Sequence, residues 1–242
     1  MARFKVDQQP AFLLHRRPYS ETSLLLDFFT RDHGRLTLIG KGCRKKKNQP
    51  SGLFQELRPL LVSWSGKGEL PILSNIEPNG HVKNPDTDMA WCGYYLNELL
   101  LKLLHRHDSH ENLFDRYQDT VLGLLMGNDP ASELRVFEKH LLGEIGFGLV
   151  LDHDVDTGEV IDDKAEYFYY PDKGPVLSES GSGNTVSGMT LNALQNESFA
   201  TKKERNEARK LTRQLIDLQL NGKQLRSRRV IRELTAYESK LA

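Results

Sequence analysis

The stretch "TSLLLDFFTRDHGRLTLIGKG", residues 22–42, sets two apolar runs of strand length on either side of Asp32-His33-Gly34. Asp and Gly form turns readily, so the pattern predicts two strands joined by a tight connection. In "RLTLIG", Leu36 and Leu38 alternate with Arg35 and Thr37, as expected of a strand with one wet face. Runs of the same kind lie on both sides: "AFLLHRR" (11–17) before, and "FQELRPLLVSW" (54–64) and "GELPILSNIEP" (68–78) after. Turn residues separate them at Pro18-Tyr19-Ser20, at "NQPSG" (48–52) and at "SGKG" (65–68). Five strands within the first eighty residues, with no helical period among them, predict a small closed barrel. The five-stranded OB barrel, a common nucleic-acid platform, is one option.

From Asp86 the period changes. "TDMAWCGYYLNELLLKLLHRHD" places Trp91, Tyr95, Leu99 and Leu103 on one helical face, with Thr87 or Asp88 as the expected N-cap. "ENLFDRYQDTVLGLLMG" repeats the pattern through Leu113, Tyr117, Val121 and Leu125. "DPASELRVFEKHLLGEIGFG" starts a third helix with Asp129 ahead of Pro130, and its apolar face is Leu134, Phe137, Leu141 and Ile145. Three such helices predict a bundle. Residues 149–188 read as turns and short strands. After "MTLNALQN", the run "KKERNEARKLTRQLIDLQL" is amphipathic through Ala208, Leu211, Leu215 and Leu218, and "SRRVIRELTAYESKL" is a further helical segment. The fold class is α+β: a five-stranded barrel over 1–80, then a mainly helical domain over 81–242 that carries a turn-rich β insertion at 149–188.

The 242 residues carry 33 basic and 33 acidic side chains, a net charge of zero that hides a pattern. Residues 1–67 hold 13 Lys/Arg against 5 Asp/Glu, residues 68–200 hold 8 against 23, and residues 201–232 hold 11 against 3. Two basic ends flank an acidic middle. Screening confines each patch's field to about 8 Å at physiological salt, so the overall zero does not cancel a basic face. The densest cluster is "KGCRKKK", five cations in the seven residues from Lys41 to Lys47. With Arg35 on the preceding strand, Lys67 at another turn and Arg16 and Arg17 at a third, it makes the footprint of a backbone-tracking DNA or RNA site. The other reading is a solvated loop.

Enzymatic motifs fail. "SGKGEL" lacks the Ser/Thr and upstream glycine of a phosphate-binding loop, and "GEIGFG" ends a helix rather than opening one. His105, His107 and His110 around Asp108 do not share one helical face, so a polar helix end is preferred to zinc. In "LDHDVDTGEVIDD", Asp152, Asp154, Asp156 and Asp163 approximate a calcium loop. However, Thr157 stands where glycine is needed, and a solvated acidic turn is preferred. Cys43 beside Arg44 and Lys45 would have a lowered pKa if exposed. Cys43 and Cys92 make neither a disulfide framework nor a cysteine zinc site. No run approaches the ~20 apolar residues of a membrane helix, and the expected location is the cytoplasm.

In this order, "RPYSETSLLLDFFTRDHGRLTLIGKGCRKKK", "FQELRPLLVSWSGKGEL", "YYLNELLLKLLHRHDSHENLFDRY", "RVFEKHLLGEIGFG" and "GKQLRSRR" resemble the RecO family of bacterial recombination and repair mediators. The similarity runs from about Ala11 to Arg232. The resemblance implies an OB barrel followed by helices, no enzymatic turnover and no cofactor. It implies binding of single- and double-stranded DNA, annealing of complementary strands, capture of the acidic C-terminal tail of single-stranded-DNA-binding protein (SSB), and work with RecR in loading RecA, at the nucleoid. Many members carry a four-cysteine zinc module after the segment matching "IGFGLVL". Here that place has no cysteine, so no metal is expected. Carried over by resemblance, Lys41, Arg44, Lys45 and Lys46 contact DNA, as do Arg226, Arg228 and Arg229; charge adds Arg35, Lys47 and Lys67. An acidic tail with an apolar end calls for cations beside an apolar groove, which Arg135 and Lys139 with Leu134 and Leu142 would provide, joined by Arg116. Two rivals remain: an adaptor for the SSB tail or RecR with incidental DNA contact, and a metal-dependent nuclease built on the aspartate-rich loop.

Overall fold

The strands of the first eighty residues carry apolar residues at successive positions, and the computed structural model shows why: both faces of much of the sheet are covered. It describes residues 4–44, 53–68, 70–80, 86–179 and 183–230. Strands β1 (Phe4–Pro18), β2 (Leu24–Thr30), β3 (Gly34–Gly40), β4 (Pro59–Gly66) and β5 (Ile72–Pro78) close a barrel in the order β1-β2-β3-β5-β4. β1 is long enough to serve two neighbours. Its first half pairs with β4 (Phe4↔Gly66 to Phe12↔Pro59) and its second half with β2 (Ala11↔Thr30 to Pro18↔Leu24). Register shifts at Val6/Gln9 and Leu13/His15 bend it between them. The closure between β3 and β5 is thin, a single parallel pair at Ile39↔Ile72. This is the five-stranded, OB-like barrel that the turn spacing predicts.

Inside it pack Ala11, Leu13, Leu24, Leu26, Phe28, Leu36, Leu38, Leu60, Val62 and Trp64. The alternate residues face outward yet are also buried. Phe12 and Phe29, paired across β1 and β2, meet Phe114 and Tyr117 at ring-centroid distances of 4.9 to 6.1 Å. Those two rings belong to α2 (Glu111–Met126), which follows α1 (Thr87–Leu103). The N-cap of α1 is Asp86, not Thr87 or Asp88: its carboxylate accepts the Met89 amide at 2.9 Å. The hairpin between β2 and β3 turns at Gly34, where φ is +61° and a Cβ would run into the Asp108 carbonyl. The wet face expected along β3 is corrected by the same packing. Thr37 is buried and donates to Asp27, and Arg35 is half-buried.

α3 (Pro130–Glu144) does not join α1 and α2 in one bundle. It belongs to a second compact unit, residues 127–224, with β6 (Glu166–Tyr170), β7 (Gly174–Leu177), β8 (Thr185–Ser187), α4 (Gly188–Gln195) and α5 (Lys202–Gln219). The sheet runs β7-β6-β8. Asp129 caps α3 ahead of Pro130, as read from the sequence, and Thr201 with Glu204 forms a capping box at the start of α5. The inward line of α5 is Ala208, Leu211, Leu215 and Ile216, continuing to Leu220. Leu218 lies off that line and is half exposed.

The first unit comprises residues 1–126 and 225–242. The change from strands to helices near residue 80 and the division into compact units are therefore different boundaries, because α1 and α2 cover the barrel. The division also sorts charge. The first unit holds 22 Lys/Arg against 16 Asp/Glu, and the second 11 against 17. Among the described residues no helix is long and apolar enough to cross a membrane.

Candidate nucleic-acid interface

The cations that the sequence groups together have different positions in the first unit. Lys41 and Arg44 are exposed in the turn that leaves β3. That turn is fastened to the β1–β2 connection by two bonds from Arg44: its amide donates to the Thr22 carbonyl at 2.9 Å, and its guanidinium to the Ser20 carbonyl. On its other side, the Ile39 amide donates to the Pro71 carbonyl at 2.9 Å, which brings in the β4–β5 connection carrying exposed Lys67. The turn after β3 is thus joined to the β1–β2 connection, and β3 itself to Pro71 of the β4–β5 connection. In the sequence the three connections contain Glu21, Glu56 and Glu69 beside Lys41, Arg44, Arg58 and Lys67, and Arg16 and Arg17 are exposed at the end of β1. Lys45, Lys46 and Lys47 lie outside the described residues.

Arg35 is placed otherwise. Its guanidinium donates to the Leu104 carbonyl at 3.1 Å, at the C-terminal cap of α1, where a cation meets the negative end of the helix dipole. Burial pushes its pKa down, the nearby Arg106 adds to this, and Asp27 opposes both. Arg35 therefore holds α1 on β3 instead of presenting its charge to solvent. Arg31, which sequence reasoning passed over, clamps the hairpin to α2 through a two-pronged pair with Asp115 (3.0 Å at both oxygens) and a bond to Glu111 at 2.9 Å. The Asp115 pair, above all, pushes its pKa up.

Arg226, Arg228 and Arg229 open a helix described over 226–230, in the same unit as the barrel. Its N-terminus is seated on α1 by Glu98. That carboxylate accepts the Arg226 and Ser227 amides, each at 2.9 Å, and the Ser227 hydroxyl at 2.7 Å. Burial pushes the Glu98 carboxyl up, but the Ser227 and Arg226 donors outweigh it and hold the group below its usual range. Arg228 lies over the Tyr95 ring at 5.5 Å. In the sequence Glu98 reads as half of an i,i+4 pair with Lys102, so its role as a cap for a segment 128 residues away left no local signal.

The residues proposed for an acidic tail separate by burial. Arg135 is only 5% exposed and donates to the fully buried Glu138 at 2.8 Å, while Glu138 also accepts from Thr212 on α5. Leu142 is completely buried. Leu134 is partly exposed, and Lys139 is bonded to Glu197 and to the Gln195 carbonyl, each at 3.0 Å. Arg116, on α2, is partly exposed.

Two further readings turn on burial. Cys43 packs against the barrel core, and burial pushes its thiol up instead of down. In the aspartate-rich loop, Asp154 is 3% exposed and points inward, accepting the Asp156, Thr157 and Leu177 amides at 2.6 to 3.0 Å. Burial alone would push its carboxyl up; the three amides hold it low. The loop is built around this carboxylate, which leaves it no free face for a cation. Among the described residues no group of three or more His, Cys, Asp or Glu is arranged to hold a metal ion.

Comparison with known proteins agrees with this architecture. The family model described as recombination protein O N terminal matches residues 1–80, and recombination protein O C terminal matches 84–229. A protein of Dechloromonas aromatica (strain RCB) named DNA repair protein RecO is 41% identical over 239 residues, covering 96% of this chain and 98% of its own length. One of the same name from Methylococcus capsulatus (strain Bath) is 44% identical over 222 residues, 92% of this chain and 91% of the relative. Another, from Coxiella burnetii (strain RSA 493), is 40% identical over 228 residues, 94% and 98%. With the two family models matching residues 1–80 and 84–229 and about 40% identity over nearly whole chains, this chain belongs to the recombination protein O (RecO) family.

Proposed function

We propose that this chain is a DNA-repair mediator that binds DNA stoichiometrically, anneals complementary single strands and helps load RecA onto SSB-coated DNA together with RecR. The observation that carries the reading is the bonding of the turn after β3 to the β1–β2 connection, which fixes exposed Lys41 and Arg44 there on an OB-like barrel, with Arg16 and Arg17 exposed at the end of β1 and Lys67 exposed in the β4–β5 connection. Lys45, Lys46 and Lys47 extend that cluster in the sequence, and Arg226, Arg228 and Arg229 supply a second cationic segment on the same unit. Such cations neutralise phosphates and release counterions, and neutralising two strands at once lowers their mutual repulsion. The unit of opposite net charge repels DNA and so confines it to the barrel unit. For the SSB tail, Leu134, Lys139 and Arg116 are the members of the expected set with exposed surface. A tail engaging Arg135 or Leu142 would first have to open the packing of α3 on α5.

The test is annealing of SSB-coated complementary strands by the parent chain and by Lys41→Glu/Lys67→Glu. The double variant should lose annealing, and the slope of log affinity for a single strand against log salt should shrink by about 1.4, two phosphates at ~0.7 each. Unchanged slope and annealing at matched stability would refute the assignment. An adaptor acting only through SSB or RecR would show no DNA affinity of the isolated parent chain even at low salt.

A further inference from the structure

The same junction presents an aromatic ring that charge reasoning does not use. Tyr19 is 53% exposed, more than any other Phe, Tyr or Trp among the described residues. The turn that carries it is held on every side. Pro18 precedes it, the Tyr19 amide donates to the Ser23 carbonyl at 3.1 Å, and Arg44 binds the carbonyls of Ser20 and Thr22 from the neighbouring connection. A ring on a braced turn has lost its main-chain freedom before any ligand arrives, so the ordering cost of stacking on it is low. Arg16, Arg17, Lys41 and Arg44 are exposed cations on the adjoining strand end and on the turn bonded to this one, and Glu21 is an exposed carboxylate in the turn itself. Of the other exposed aromatics, Phe4 lies at the start of β1 opposite Gly66 and outside this turn. Tyr94 is packed edge-on against Trp91, and Phe147 and Tyr170 belong to the unit with 17 acidic and 11 basic residues.

An exposed, pre-placed ring among cations is what a single strand needs, since it offers stacking for a base while the backbone is neutralised. A duplex keeps its base faces inside the stack and cannot use such a ring. We infer that Tyr19 is a stacking platform for an unpaired nucleobase, and that it distinguishes single-stranded from double-stranded DNA at this site. The inference rests on the DNA-binding reading above and names the part of the strand the site holds in addition to phosphate. It also gives annealing a direction: once two strands pair, the base leaves Tyr19, the single-strand contact is lost, and the duplex is held by phosphate contacts alone.

The experiment compares the full chain with Tyr19→Ala and Tyr19→Phe for binding to oligo(dT) and to a duplex of equal length, at several salt concentrations. Tyr19→Ala should weaken oligo(dT) binding about ten-fold, the scale of one lost base–aromatic stack. Duplex affinity and the salt slope should stay unchanged, because no phosphate contact is removed. Tyr19→Phe, which keeps the ring, should match the parent. Ultraviolet crosslinking of the parent to an oligonucleotide carrying 5-iododeoxyuridine should place the adduct on Tyr19, and this readout does not depend on how well the alanine variant folds. Equal loss on single strands and duplex, no loss on either, or an adduct elsewhere overturns the inference while leaving DNA binding intact. A parent chain that binds neither form at low salt overturns the DNA-binding reading itself.

Discussion

Replacing Glu98 by Gln tests whether the arginine-bearing helix at 226–230 is held on α1 by one carboxylate. The side chain is only 15% exposed and takes three donors: the Arg226 and Ser227 amides and the Ser227 hydroxyl. Gln keeps one acceptor oxygen and turns an amide NH2 toward N–H groups that the second oxygen had served. It also removes a negative charge from a helix N-terminus, a setting that favours one. Hydrogen bonds to a charged acceptor contribute about 1.5–3 kcal/mol each at most. With one acceptor retained and water able to enter, a net loss of about 2 kcal/mol in docking is expected. At about 1.4 kcal/mol per ten-fold, that is roughly a 30-fold rise in the opening equilibrium of the segment. Hydrogen exchange reads it directly: the Arg226 and Ser227 amides should exchange faster by about that factor, while the barrel strands keep their protection. Because the folded carboxyl lies below its ordinary 4.5, the Glu98 contribution is fully present above that value and is lost as pH falls through the lower folded one. The difference between parent and variant should therefore hold from pH 7 to pH 5 and close under stronger acid. Unchanged exchange at Arg226 and Ser227 in the variant would refute the capping role.

Asp154→Asn should lower the unfolding free energy by about 2–3 kcal/mol at pH 7, since one buried amide among those of Asp156, Thr157 and Leu177 would face an NH2 instead of an oxygen. The Asp154 carboxyl is held below 3.8, so in denaturant titrations this deficit should be full at pH 6 and shrink as pH falls through the folded value below it. Arg135→Ala should cost about 3–5 kcal/mol by removing the cation that donates to the buried Glu138 carboxylate. The double change Arg135→Met/Glu138→Leu should recover most of that loss in the same measurement, and a double variant no better than Arg135→Ala would show that the pair is not the cause.

The barrel was legible because its signals are local. Turn residues fall at the ends of each run, so five short strands and a small barrel could be read, while the order β1-β2-β3-β5-β4 came from the structure. The helix start at Asp129 was legible for the same reason, a side-chain cap three residues from the amide it serves. What misled were faces whose cover comes from elsewhere. "RLTLIG" alternates as a half-wet strand does, yet Thr37 is buried, and Asp27 on the neighbouring strand takes its hydroxyl. The three-helix bundle failed similarly: an apolar stripe records that a helix is covered but not by what, and Phe114 and Tyr117 found Phe12 and Phe29.

Four arginines show where reading a charged site from sequence stops. Arg31 is clamped to Asp115 and Glu111, and Arg35 faces the end of α1. Arg135 is interior with Glu138, and Arg44 bridges two turns with its charge still exposed. Nothing within a few residues marks the fates of Arg31, Arg35 and Arg44, whose main partners lie on another helix or turn; Arg135 has Glu138 three residues on in its own helix, and what the local sequence leaves unmarked there is the burial of the pair. A sum over charge needs no such knowledge. Pairing an arginine with a carboxylate shortens the reach of both fields but leaves the unit's total unchanged, so the surplus of the barrel unit survives however its cations are arranged. Attraction of a polyanion to that unit is therefore readable from composition along the chain. Contact is not: it requires exposure and a backbone that holds the cations in place, as the Arg44 bonds to the Ser20 and Thr22 carbonyls do for the turn after β3. Substitutions at exposed Lys41 and Lys67 should accordingly change DNA affinity at constant stability, whereas substitution at Arg35 should change stability first.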